Sequence, residues 1–278
     1  MNMMKKLLKN ELTKTLNYAS FKVIITLHFI LFLMVIIVAS KIDIAVPGFS
    51  MRNLFRFPDV WATFAWIASW FNILLAIMVI VLVGNEFLFR TFRQQVINGL
   101  SVDDLVVGKG IIIFFIALYS LLLVFLLGSV FGIIFSHNFE FADLFSKSYL
   151  LAVYFLQAVG YMIIGMLFAI IFRNNSLSII MFLLYFIFIE PIIRRFFSPE
   201  VRQFFPVKII SHLTPPPEVL AIASEKTMEN SVGTTNFDFE SIGLIPHQLP
   251  LPVTLLLAIG FIALFVFLIF RIMRKRDL

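Results

Sequence analysis

Residues 61–109 read WATFAWIASWFNILLAIMVIVLVG and then NEFLFRTFRQQVINGLSVDDLVVGK. The first part carries no charged side chain, and it is long enough to cross a hydrocarbon core of about 30 Å at about 1.5 Å per residue. The second part, residues 85–109, is polar and has helix signals of its own. Glu86, Arg90 and Arg93 recur at near-helical spacing. Asn98-Gly99 predicts a stop, because glycine readily takes the left-handed conformation of a helix end. Ser101 with Asp104 three residues on predicts a restart, since that spacing lets the hydroxyl and the carboxylate cap the first turn reciprocally. The reading is therefore a membrane span, a structured elbow and a second span.

The same pattern extends along the chain. Of 278 residues, 61% are hydrophobic, 35 are Phe and only 14% are charged; mean hydropathy is +1.01. Soluble domains average about 45–50% apolar residues. The excess falls in six runs, at 23–40, 61–84, 111–135, 149–172, 177–193 and 253–270. The expected fold is an all-α polytopic membrane protein, a single domain over 1–278. Arg173, Asn174, Asn175 and Ser176 separate the fourth and fifth runs as a tight hairpin. No A-x-A cleavage site follows the first run, which reads as a retained signal anchor.

Before it, residues 1–21 form an amphipathic pattern. Met1, Met4, Leu8, Leu12, Leu16 and Ala19 gather on one side of a helical wheel, and Lys6, Lys9, Asn10, Lys14 and Asn17 on the other. This predicts an interfacial helix, with Glu11 as its misfit. Thirteen of the 22 Lys and Arg residues lie on the side of the N-terminus, and the excess sharpens when the long stretch 194–252 is set aside. Basic residues mark the cytoplasmic side. Both termini, the loop at 85–110 and the turn at 173–176 are thus expected to be cytoplasmic, and 194–252 external. Within 194–252, short helices are expected at 207–213 and 218–224 and a surface loop at 227–238.

The net charge of +6 and the pI near 9.6 do not point to nucleic acid, because the basic residues flank apolar runs as topology and anionic lipids require. Cysteine is absent, and no G-x-S-x-G, H-E-x-x-H or phosphate-binding G-x-x-x-x-G-K-[ST] motif occurs. His28 is the only histidine inside a run and has no acidic sequence neighbour. An intramembrane enzyme therefore lacks a constellation, and no metal site is expected. Glu190 is the one acid embedded in an apolar run. Followed by Pro191 and one turn before Arg194, it reads as half of a helix-end ion pair with Arg194, ahead of a proton or substrate site. Gly128 and Gly132 form a G-x-x-x-G that suits packing within the bundle more than a dimer face. Trp61 suits an interfacial belt.

The elbow resembles the permease subunits of ABC-2 type ABC transporters. The resemblance rests on Asn85-Glu86, on Arg90-Thr91-Phe92-Arg93-Gln94-Gln95, on Asn98-Gly99-Leu100-Ser101 and on Gly108-Lys109, and it spans about a tenth of the chain. The order of elements is similar too: an N-terminal interfacial helix, six spans and a large external segment between spans five and six. The resemblance implies an exporter subunit in the bacterial cytoplasmic membrane that pairs with an identical or a different second permease. It implies a separate ATPase that holds ATP and Mg, with no cofactor on this chain. It also implies a coupling helix over 86–98, in which Glu86, Phe87, Phe89, Arg90, Phe92 and Arg93 meet the ATPase. On the residues alone, a self-contained secondary transporter or channel is the alternative.

Overall fold

The computed structural model describes residues 3–42, 45–46, 49–136, 141–217 and 249–275. The expected short helix at 218–224 and loop at 227–238 lie outside them, as do Met1 and the side chain of Met4. Among the described residues six helices are long and apolar enough to cross a membrane, and the chain is an all-α polytopic membrane protein. Helix α1 (Met3–Asn17) ends at Tyr18, whose extended backbone turns the chain into α2 (Ala19–Lys41). A two-residue hairpin (Ala45–Val46 with Phe49–Ser50) and a 3-10 turn (Met51–Phe55) lead to α3 (Val60–Leu88). Short α4 (Thr91–Ile97) and long α5 (Val102–Phe135) follow. Then come α6 (Phe141–Ser146), α7 (Tyr149–Phe172) and α8 (Asn175–Leu184). A π-helical turn (Tyr185–Ile189) joins α8 to α9 (Glu190–Arg194). Short α10 (Pro199–Arg202) and α11 (Pro206–Ser211) precede the last span, α12 (Leu251–Lys275).

The restart predicted at Ser101 and the third span are one helix. Ser101 Oγ accepts from the Asp104 amide at 3.1 Å, and the Asp104 carboxylate accepts from the Ser101 amide at 3.0 Å. At about 1.5 Å per residue, the 34 residues of α5 run to about 51 Å, so one end stands clear of a hydrocarbon core of about 30 Å. That end carries Asp103 and Asp104 and forms one wall of the elbow.

The core centres on α7, which packs on α3, α5, α8 and α12. Helices in lipid gain no hydrophobic drive from meeting each other, so close backbone approach has to supply the attraction. Gly165 supplies it at the α3–α7 crossing, where a Cβ would lie 2.8 Å from the Ala76 carbonyl oxygen. Gly128 and Gly132 serve the same end differently: the first receives the Trp61 ring and the second the Phe57 ring. The G-x-x-x-G is thus filled from within the chain. Trp61 is fully buried, and its indole Nε1 donates to the Leu144 carbonyl at 2.8 Å, so it is a core residue and not the interfacial anchor expected. The outer helices α2, α8–α9 and α12 bury little and leave side chains such as Ile30, Ile180 and Leu256 exposed, as lipid-facing helices do.

At the end of the bundle opposite the elbow, α11 is drawn inward. Gln157 Nε2 donates to the carbonyls of Ile210 and Ser211 at 3.0 Å each, and Thr214 Oγ1 donates to Gln157 Oε1 at 2.9 Å. Glu190 holds the start of the same helix. Pro191 has no N–H to give the turn before it, and the chain widens into the π-turn there. Glu190 is thereby buried, and it accepts from the amides of Val207 at 3.0 Å and Lys208 at 2.9 Å and from the Tyr185 hydroxyl at 3.0 Å. The expected Glu190–Arg194 pair is therefore not a direct contact, and Arg194 adds only longer-range attraction. Two free amides at a helix start, aligned with its dipole, hold the carboxylate in place of the arginine.

Candidate functional site

The elbow is built from four helix ends. Helix α3 runs past the end expected at 84 and stops at Leu88, because Arg90 takes the left-handed conformation, φ 55° and ψ 25°. The coupling helix expected over 86–98 is therefore split: its first turn belongs to α3 and the rest is α4. Gly99, at φ 93°, closes α4 as predicted. Arg173 is the other non-glycine residue with positive φ among those described, at 52°, and it ends α7. Such backbone costs an L-residue about 1–2 kcal/mol. Asn174 then caps α8 by accepting from the Leu177 amide at 3.0 Å, which makes the hairpin read from 173–176. Asn175 Nδ2 donates to Asn85 Oδ1 at 2.7 Å, and the side chain of Asn175 packs on Gly84, so the two turns are stapled together.

A charge knot lies under the elbow. Lys109 Nζ donates to Glu86 Oε1 and to Glu11 Oε2, both at 2.6 Å. Lys14 Nζ lies 3.4 Å from Glu86 Oε2 and 3.5 Å from Glu11 Oε1, and the Thr91 hydroxyl donates to Glu86. Glu86 is wholly buried, and Glu11 and Lys109 nearly so. Two carboxylates and two ammonium groups balance, which is what allows the charges to stay buried. Glu11, the misfit of the interfacial helix, is thus its tie to α5. The inward stripe of α1 comprises Leu8, Glu11, Leu12 and Thr15, whereas Leu16 and Ala19 of the expected apolar side are exposed. Burial, with the Glu86 carboxylate next, pushes the Tyr18 phenol above its ordinary range and keeps it neutral beside the knot.

The six residues expected to meet an ATPase divide into two groups. Glu86 and Phe92 are buried, and Phe87 is half-buried with its ring 5.0 Å from Phe92, edge to face. These three build the elbow's own core, because an interior acid and ring are what seat α4 on Lys109, whose ammonium lies 5.8 Å from the Phe92 centroid. Glu86 and Phe92 are thus not free to fill a pocket on another protein. Phe89, Arg90 and Arg93 are exposed. Sequence reasoning did not bring Glu11, Lys14, Thr91 and Lys109 to Glu86, or Asn175 to Asn85. The usable signals were a lone acid on a basic helix and a lone lysine at the start of an apolar run.

Beside the knot, an open cleft of about 930 Å³ separates α1 from α4, lined among others by Lys9, Lys14, Asn17, Gln94, Gln95 and Asn98. The Gln95 amide oxygen is buried there without a hydrogen-bond partner. Among the described residues, no three of His, Asp and Glu gather as they would to hold a metal ion. The arrangement offers a stiff joint with a polar cleft. Compared with known proteins, the sequence matches no family model and no curated protein.

Proposed function

We propose that this chain is the membrane-spanning subunit of an ATP-driven transporter of the ABC-2 type, an exporter, and that a separate ATPase drives it through the elbow. The observation that carries this reading is the Glu11–Lys109–Glu86 knot. It fastens α1 and α4, which form the cleft, to the end of α3 and the start of α5. A force applied at the cleft then reaches two spans as one body, which suits rigid-body gating. The excess of Lys and Arg at this end supports a cytoplasmic elbow and cytoplasmic termini. The cleft, with its unpartnered Gln95 oxygen, suits a polar element of the ATPase. ATP and Mg belong to that partner, and a second permease, identical or different, would complete the pathway.

The test is reconstitution. The chain, co-expressed with an ATPase from a neighbouring reading frame, should copurify with it and stimulate its turnover in lipid nanodiscs. Filling the cleft with Gln95→Trp and Asn98→Trp should abolish stimulation while the chain still inserts. Cargo movement by this chain alone in liposomes, driven by an ion gradient, would overturn the reading.

A further inference from the structure

At the end of the bundle opposite the elbow, a pocket of about 280 Å³ opens between α3, α7 and the end of α11, lined among others by Trp66, Ser69, Trp70, Tyr161, Ser211 and Thr214. The Trp66 and Trp70 rings meet edge to face, 5.3 Å apart at 74°, so two aromatic walls form a corner. Tyr161 is a third aromatic. It is only 5% exposed, its ring lies 4.8 Å from that of Phe186, and its hydroxyl has no hydrogen-bond partner among the described residues. The two indole N–H groups have none there either. The serines and the threonine supply acceptors. Ser69 Oγ donates to the Trp66 carbonyl at 2.7 Å, Ser211 Oγ to the Lys208 carbonyl at 3.2 Å and Thr214 Oγ1 to Gln157 Oε1 at 2.9 Å, so each keeps lone pairs for a guest. Among the described residues, no charged side chain lines the pocket.

We propose that this pocket binds the neutral ring of a sugar. An ion would find no counter-charge in the walls. A wholly apolar ligand would strand the Tyr161 hydroxyl away from water. Sugar hydroxyls both donate and accept, so they answer the free N–H and O–H groups and the free lone pairs together. The C–H face of the ring is apolar and weakly positive, which suits the negative face of an indole. The volume equals that of about nine waters at about 30 Å³ each, which is room for one ring with its hydroxyls. Binding stands on the pocket alone, whether or not an ATPase docks in the α1–α4 cleft. Use of the pocket for cargo rests on the exporter reading.

The experiment uses the full chain, purified in a detergent without a sugar headgroup and reconstituted in phosphatidylcholine nanodiscs, with tryptophan emission as the readout. Trp61, the third of three tryptophans, is held in the core by the Leu144 carbonyl and does not line the pocket, so a shift reports Trp66 and Trp70. Methyl glucoside, methyl galactoside and methyl mannoside probe a free sugar. Glucosyl-diacylglycerol in the nanodisc probes a lipid-linked one, with diacylglycerol as its control. A saturable shift with a free glycoside supports the proposal and assigns a free sugar; a shift with the glucolipid alone supports it and assigns a lipid headgroup. Tyr161→Phe should weaken binding about fivefold through the lost hydroxyl, and Trp70→Ala about tenfold through the lost wall. Should Tyr161→Phe fold poorly, Trp70→Ala decides, because Trp70 is 66% exposed and the bundle does not rest on it. The absence of a saturable shift with any glycoside overturns the proposal. So does an equal response to diacylglycerol, or undiminished affinity in the variants. A chain that binds the sugar yet stimulates no ATPase keeps this site and loses the coupling reading.

Discussion

The Lys109 ammonium lies 2.6 Å from the Glu86 carboxylate, across 23 residues of chain that include all of α4. That one contact closes the elbow into a loop whose two ends cannot part without exposing or stranding buried charge. Replacing Lys109 with Met should leave Glu86 and Glu11 facing each other with only the half-buried Lys14 between them. Removing one partner of a buried ion pair costs about 3–5 kcal/mol. Adding Glu11→Gln and Glu86→Gln should recover most of the loss, because a neutral buried cluster needs no counter-ion. Thermal unfolding of the three proteins in one detergent checks the order.

Part of this joint was legible in sequence and part was not, for a physical reason. Local rules placed the stop at Gly99, the capping box at Ser101 and the hairpin at 173–176, since each is decided by neighbouring residues. The six spans were legible because length and apolarity decide them. The knot was not, because Glu11 and Lys109 are 98 residues apart and nothing local says which buried cation an acid will meet. The assignment of Glu86 and Phe92 to a partner surface failed in the same way. A residue on an elbow reads as exposed until a fourth helix end, here α1, is known to cover it.

Glu190→Ala should release α11. The change strips two amides and the Tyr185 hydroxyl of their acceptor in a buried site, and each stranded group costs about 1–3 kcal/mol. Hydrogen exchange at Val207 and Lys208 should speed up markedly, with exchange in α3 and α7 little changed. Arg194→Ala should leave both amides largely protected, since Arg194 attracts the carboxylate only at longer range and the amides bond it directly. Equal effects from the two substitutions would restore the helix-end ion pair.

The same helix should give the fold a pH dependence. Burial, with Lys208 and Arg194 adding to it, pushes His212 down to about 4 from its ordinary 6.5. Between those values the unfolded chain binds the extra proton and the folded one does not, so stability falls as pH drops from about 6.5 towards 4. Lys208, pushed down to about 8 by burial and then by Arg194, acts at the other end: stability rises with pH from about 8 to the ordinary 10.5. His212→Asn should flatten the acid limb and Lys208→Gln the alkaline one. The His212 ring reaches the surface, so screening trims its share and salt should shrink it further. Melting temperatures across pH for the three proteins test both limbs.

Two glycines on long helices should respond in opposite directions to the same small change. At Gly165, a new Cβ would meet the Ala76 carbonyl at 2.8 Å, and that contact is backbone on the tightest helix pair, so it cannot swing aside. Gly165→Ala should destabilise by about 1–3 kcal/mol by forcing α3 and α7 apart. At Gly110 in α5, nothing among the described residues lies within 4 Å of the added methyl. There Gly110→Ala should stabilise by up to about 1 kcal/mol, because alanine loses less backbone freedom on entering a helix. Thermal unfolding of both variants separates the two causes. A loss at both sites would mean that α5 also needs a bare backbone, as it would if a neighbour outside this chain packed against Gly110.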